Sequence, residues 1–120
     1  SYIDTPHLVH TVYGSGSNFK WFYLLNSPRV VVVQNGGPKY IEMKWLVPIT
    51  SVLPKTVTFK ATMNVRQQPL MSSQIITTKN AGVPVQITNV TISKGGVWGQ
   101  CSEGWVSLRL NDVTMSDWEI

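Results

Sequence analysis

The sequence predicts an all-β protein, and three observations carry that prediction. Its apolar runs are short and rich in Val, Ile and Thr. Gly, Pro or Asn interrupts them roughly every eight to twelve residues, the spacing of sandwiches and small barrels. Helical periodicity, with apolar residues at i, i+3, i+4 and i+7, is hard to find anywhere in the chain.

Taken in order, the predicted strands are "VHTVYG" (9–14), "FKWFYLL" (19–25), "RVVVVQ" (29–34), "YIEMKWLVPI" (40–49), "TVTFKAT" (56–62), "QIITT" (74–78), "VPVQITNVTI" (83–92), "VWGQCS" (97–102) and "GWVSLRL" (104–110). Turns are marked by "GSGS" at Gly14, "NSP" at Asn26, "NGGP" at Asn35, "KNAG" at Lys79 and "KGG" at Lys94. Asn-Gly-Gly and Lys-Gly-Gly between β-branched runs are hairpin signals, because Gly and Asn enter positive φ at little cost.

Composition narrows the function. The 120 residues suffice for one ordinary domain or two very small ones. Apolar residues make up 42% of the chain, as in globular proteins, but charged residues only 13%, against about 25% in most soluble domains. The surface is therefore covered largely by Ser, Thr, Asn and Gln, as in extracellular or virion β-proteins. The net charge of +4 comes from Lys and Arg scattered from Lys20 to Arg109 without a basic run, which argues against a nucleic-acid arm. Cys101 is alone, so no intrachain disulfide or thiolate metal cluster can form, and it reads as a small buried apolar residue. No run approaches the eighteen or so apolar residues of a membrane span, and no signal sequence opens the chain. A start at Ser1 without Met reads as a fragment or a processed product.

The segment "VLPKTV" (52–57), with Pro48 and Pro54 about it, is the best boundary, since proline cannot donate to a sheet ladder. It divides a β-rich module, residues 1–56, from a second, residues 57–120. A Val-rich strand, a Gly-Gly hairpin and a closing Trp (Trp45, Trp105) occur in both halves. Two readings stay open for the first module: a divergent copy of the second, or hairpins that converge on one pattern.

Two stretches of the second module, "VTFKATMNVRQQPLMSSQIITTKNAGVPVQI" and "GGVWGQCSEGWVSLRL", carry a family pattern. An apolar-Asn-Val-Arg motif precedes a Pro-containing turn, and a Gly-rich hairpin leads through Trp to Gly-Trp-Val. From about residue 57 to 113 the chain resembles the bacterial SH3-like (SH3b) domains. Met63 stands where that family usually has Leu, Gln67 and Gln68 where Ser or Gly is usual, and Leu110 near its usual aromatic. The resemblance implies a small SH3-like β-barrel, preceded here by a β-rich segment.

Alternation in the strand at 83–92 puts Val83, Val85 and Ile87 on the core face, with Val65 and Ile75 or Ile76 opposite and Trp98 and Trp105 adding bulk. Asn64 is expected to bond the backbone of the following turn, and Arg66 a carboxylate or a carbonyl.

Domains of this family accompany peptidoglycan hydrolases and phage endolysins. The resemblance therefore implies a non-catalytic module that targets such an enzyme to the bacterial cell wall, outside the cell or on a virion. Arg66, Gln68, Trp98, Gln100 and Glu103 lie on or near the loops that would surround a ligand groove. Each also has a structural reading: core for Trp98, a bridge for Arg66. No catalytic residue, metal or cofactor is expected. Cys101 with His7 or His10 is the rival hydrolase pair, but the thiol sits in a predicted strand and both His near a loose terminus. A third reading is a phage tail, virion or surface-assembly component making protein contacts through the N-terminal half, where "FKWFY" supplies an aromatic cluster.

Overall fold

The computed structural model describes residues 7–15, 19–25, 30–34, 46–94, 96–111 and 113–118. The chain is all-β, with one 3-10 turn among the described residues, and it divides into two compact units, residues 1–51 and 52–120. Among the described residues no helix is long and apolar enough to cross a membrane.

In the first unit, β1 (His7–Ser15), β2 (Phe19–Leu24), β3 (Val30–Gln34) and β4 (Leu46–Pro48) form one sheet in the order β3-β2-β1-β4. The β1–β2 and β2–β3 pairs are antiparallel, whereas β4 joins β1 in parallel. Val9, Leu25 and Ile49 are its buried apolar residues among those described. The Leu25 amide donates to the Leu8 carbonyl at 3.1 Å and extends the pairing past β2. His7 and His10 are not on a loose terminus: β1 is flanked on both sides, with His7 opposite Leu46 and His10 opposite Tyr23. Trp45, "NGGP", "NSP" and most of the strand expected at 40–49 lie outside the described residues. The 3-10 turn Ile49–Val52, where the Ser51 hydroxyl donates to the Pro48 carbonyl at 2.7 Å, leads into the second unit.

The second unit begins at Val52, ahead of the expected residue 57, because β5 (Lys55–Thr58) pairs within it. Seven further strands follow: β6 (Met63–Arg66), β7 (Ile75–Lys79), β8 (Pro84–Ile87), β9 (Asn89–Ser93), β10 (Gly96–Gln100), β11 (Trp105–Leu110) and β12 (Val113–Thr114). The larger sheet runs β7-β6-β11-β10-β9, with β12 on β11, and the smaller is the β5–β8 pair. All these pairs are antiparallel, unlike the β1–β4 edge of the first unit. The strands form two sheets and are not closed into a barrel.

The run expected as one strand, 83–92, breaks at Thr88. Its amide and hydroxyl both donate to the Gln100 carbonyl, at 2.9 and 3.2 Å, so the chain leaves β8 and enters β9 at a fixed corner. Val85 and Ile87 face inward and join Val57, Val65, Val90, Val97, Val106 and Leu108 in the core. Val83 does not join them: it sits in the turn before β8, its amide bonded to the Asn80 carbonyl, and is exposed. Ile75 and Ile76 are also half exposed, because β7 is an edge strand and Val65 of β6 takes the core position.

The C-terminal segment ties the two sheets together. Met115 donates to the Leu108 carbonyl at 2.9 Å, and Lys60 donates to the Met115 carbonyl at 3.0 Å. Phe59 bridges to Ser116. Asp117 then exchanges two bonds with Thr58: its amide meets the Thr58 carbonyl at 2.9 Å and its carboxylate accepts from the Thr58 amide at 3.0 Å. Trp118 is buried, with the Lys55 ammonium 5.8 Å from its ring centroid.

Candidate functional site

The loop between β6 and β7, residues 67–74, is built around one residue. The Ser73 carbonyl accepts from Arg66 Nη1 at 2.9 Å, its hydroxyl accepts from the Gln68 amide at 2.9 Å, and its amide donates to the Leu70 carbonyl at 3.1 Å. Gln67 donates to the Gln74 carbonyl at the neck of the loop, at 2.9 Å. Arg66 thus bonds a carbonyl, as its position implies. Ser73, not Asn64, supplies the side chain that holds the turn; Asn64 is exposed on β6.

This loop walls two adjoining clefts, of about 200 and 130 Å3, that share Met71, Trp98 and Leu110. The larger is completed by Pro69, Leu70 and Ser72 of the loop and by Ser93 and Lys94 of the β9–β10 turn. The smaller is completed by Thr62, by Met63, Asn64 and Arg66 of β6, by Ser107 of β11 and by Met115. Three of the chain's four methionines therefore line one cleft. Methionine is unbranched and polarizable, so such walls adapt to what enters. Arg66 and Lys94 are the ionisable lining residues, and neither cleft contains a carboxylate.

Trp98 is 2% exposed although it lines both clefts. The alternation of β10 explains this: Gly99 faces the core, where an added Cβ would stand 2.9 Å from Leu108 and 3.0 Å from Ile87, while Trp98 lies on the other face. Opposite Trp98 in register is Ser107 of β11. Ser107 is buried, and its hydroxyl oxygen has no hydrogen-bond partner among the described residues.

Of the five residues expected at a ligand groove, Arg66 and Trp98 come together in the smaller cleft. Gln68, Gln100 and Glu103 line neither. Gln68 is exposed on the loop and contributes its backbone amide to the Ser73 hydroxyl. Gln100 uses its carbonyl to hold Thr88. Glu103 lies in the β10–β11 turn, where it accepts from Lys79 and from the Ser102 hydroxyl. The Lys79 bond is the main cause that holds the Glu103 carboxyl below, and the Lys79 ammonium above, their ordinary values. Met71, Ser107, Leu110 and Met115 were not singled out as ligand residues. Met63 and Leu110, departures from the SH3-like pattern that count against a groove built on the family's aromatic, both line the smaller cleft.

Cys101 is free and buried, just past β10 rather than within it, with its amide donating to the Gly104 carbonyl at 2.8 Å. Among the described residues no three of His, Cys, Asp and Glu gather as a metal site would require. No family model matches the chain, and neither the curated proteins nor the solved structures include a match.

Proposed function

We propose that residues 52–120 act as a non-catalytic cell-wall binding module, of the kind that carries a bacterial or phage peptidoglycan hydrolase to its substrate outside the cell. The resemblance of residues 57–113 to SH3-like bacterial domains motivates this reading. The observation that carries it is the pair of clefts beside the loop at 67–74, with an aromatic base at Trp98, methionine walls and two cations at the rim. Wall polymers fit such a surface: their peptides and sugars present small apolar faces, and their carboxylates and phosphates are anionic.

The test is sedimentation of the fluorescently labelled full chain with intact sacculi from several bacteria, with and without teichoic acid, at two salt concentrations. Saturable, salt-resistant binding is the expected result. Met71→Asp should weaken it roughly tenfold, because Met71 is exposed enough to replace without unfolding the unit and the new carboxylate faces an anionic polymer. A chain that stays in the supernatant with every wall ends this reading.

One observation favours a second reading, a phage-tail or surface-assembly component. The edge strand β7 presents Ile75 and Ile76, each about half exposed, beside unpaired backbone. Concentration-dependent self-association in sedimentation velocity, abolished by Ile76→Lys, would support assembly in place of wall binding.

A further inference from the structure

The buried Ser107 hydroxyl is costly where it stands. A hydroxyl withdrawn from water and left without a partner forfeits its hydration for nothing, which is why such groups are rare in folded proteins. Ser107 faces the smaller cleft beside Trp98, Arg66 and three methionines. Ala would fill a buried strand position of this size without the penalty. The cleft also holds about 130 Å3, some four times the volume share of one water, so a single bridging water does not fill it.

Arg66 supplies the second half of the chemistry. One of its five N–H donors goes to the Ser73 carbonyl, and Arg66 lines the cleft. With Lys94 in the adjoining cleft and no carboxylate in either, the lining is complementary to an anion. The methionine and tryptophan walls ask for an apolar body on that anion.

We propose that the smaller cleft is a subsite for a compact carboxylate-bearing residue, such as the free C-terminal residue of a short peptide. The carboxylate lies against Arg66, one of its oxygens accepts from the Ser107 hydroxyl, and a methyl-sized side chain packs on Met63, Met71 and Met115. A planar carboxylate suits the guanidinium fork better than a bulky anion does. Rotation of the methionine side chains gives the ligand access to the sealed hydroxyl. The subsite deepens the wall-binding reading and rests on it for the source of the peptide.

The probes are N-acetyl-D-alanine and N-acetyl-L-alanine, their amides, and inorganic phosphate, titrated into the 15N-labelled full chain by NMR. The expected result is saturable shifts of the Trp98 indole N–H and the Ser107 amide with at least one N-acetylalanine. The corresponding amide, and Ser107→Ala with the acid, should each bind roughly fivefold or more weakly. Ser107→Ala should keep the wild-type dispersion and an equal or higher Tm, since it removes an unsatisfied group. Absence of saturable shifts with either acid overturns the proposal, as does equal binding by the amide, by phosphate or by Ser107→Ala. Sacculus binding is measured in parallel. Binding to sacculi without binding of the acids overturns the subsite and leaves the wall reading standing; binding of the acid without sacculi keeps the subsite and overturns the wall reading.

Discussion

Gly104 shows how closely single positions are fitted. A Cβ built there would stand 2.5 Å from the Arg66 carbonyl oxygen and 3.2 Å from a Val65 methyl, so the β10–β11 turn passes β6 with no room for a side chain. The obstacle is backbone, which cannot rotate away as a side chain end can. Gly104→Ala should therefore cost about 2 kcal/mol, as overpacking at a rigid contact does, read as a lower urea midpoint with unchanged m. At Gly99 the obstacles are side-chain methyls of Leu108 and Ile87 and not backbone, so Gly99→Ala should cost less. A second residue-scale expectation concerns pH. The bond from the Thr58 amide is the main cause that holds the Asp117 carboxyl below its ordinary 3.8. A carboxyl depressed in the folded state contributes stability above its unfolded pKa and loses it as pH falls through the folded one. The chain should lose stability from about pH 4 downward. Asp117→Asn, which keeps an oxygen acceptor but cannot titrate, should flatten part of that fall in urea titrations. The remainder is expected from Glu103, whose carboxyl is shifted in the same direction.

At the level of elements, the loop 67–74 depends on Ser73 more than on any turn residue that its sequence advertises. Ser73→Ala deletes the acceptor for the Gln68 amide and leaves the bonds through its own backbone, so the fold should survive with a loss of about 1 kcal/mol. Amide exchange should rise at Gln68 and Leu70 and stay unchanged in β10 and β11. Strand positions were legible in the sequence because period-two alternation and Gly or Asn turns are local. β5 and β7 to β11 overlap the runs read as strands, whereas β6 falls between the runs at 56–62 and 74–78. Arg66, Trp98 and Cys101 have the local environments their neighbours imply: a carbonyl bond for the first, burial for the other two. What local pattern could not give was pairing. Ile75 and Ile76 look like core in a β-branched run, and only the sheet order, which leaves β7 at an edge, exposes them. The corner at Thr88 is equally hidden, since it is made by the Gln100 carbonyl twelve residues on. The cleft was half legible for the same reason. Trp98 and Arg66 carry obvious chemistry, but Met71, Ser107 and Met115 become one surface only after β6, β11 and the C-terminal segment come together.

For the molecule as a whole, the division at Val52 separates two sets of strands, and among the described residues each strand pairs within its own unit. The second unit holds most of the buried apolar residues described, from Val57 to Trp118. A unit of this size buries a modest share of its surface, so every tie between its sheets matters. The last residues are such a tie: Ser116 and Trp118 are buried, and Asp117 bonds Thr58 through both its backbone and its side chain. Two fragments test the argument together. Residues 52–120 alone should fold, with a single cooperative urea transition and a dispersed amide spectrum. Residues 52–112 should lose at least about 3 kcal/mol, the scale of deleting one buried tryptophan, and should show a collapsed spectrum if that exceeds the stability of the unit. Cooperative folding of the longer fragment with failure of the shorter one would establish that the C-terminal segment, outside the SH3-like sequence pattern, is part of this fold. Equal stability of the two would mean that β5–β8 and the larger sheet hold together through their apolar faces alone.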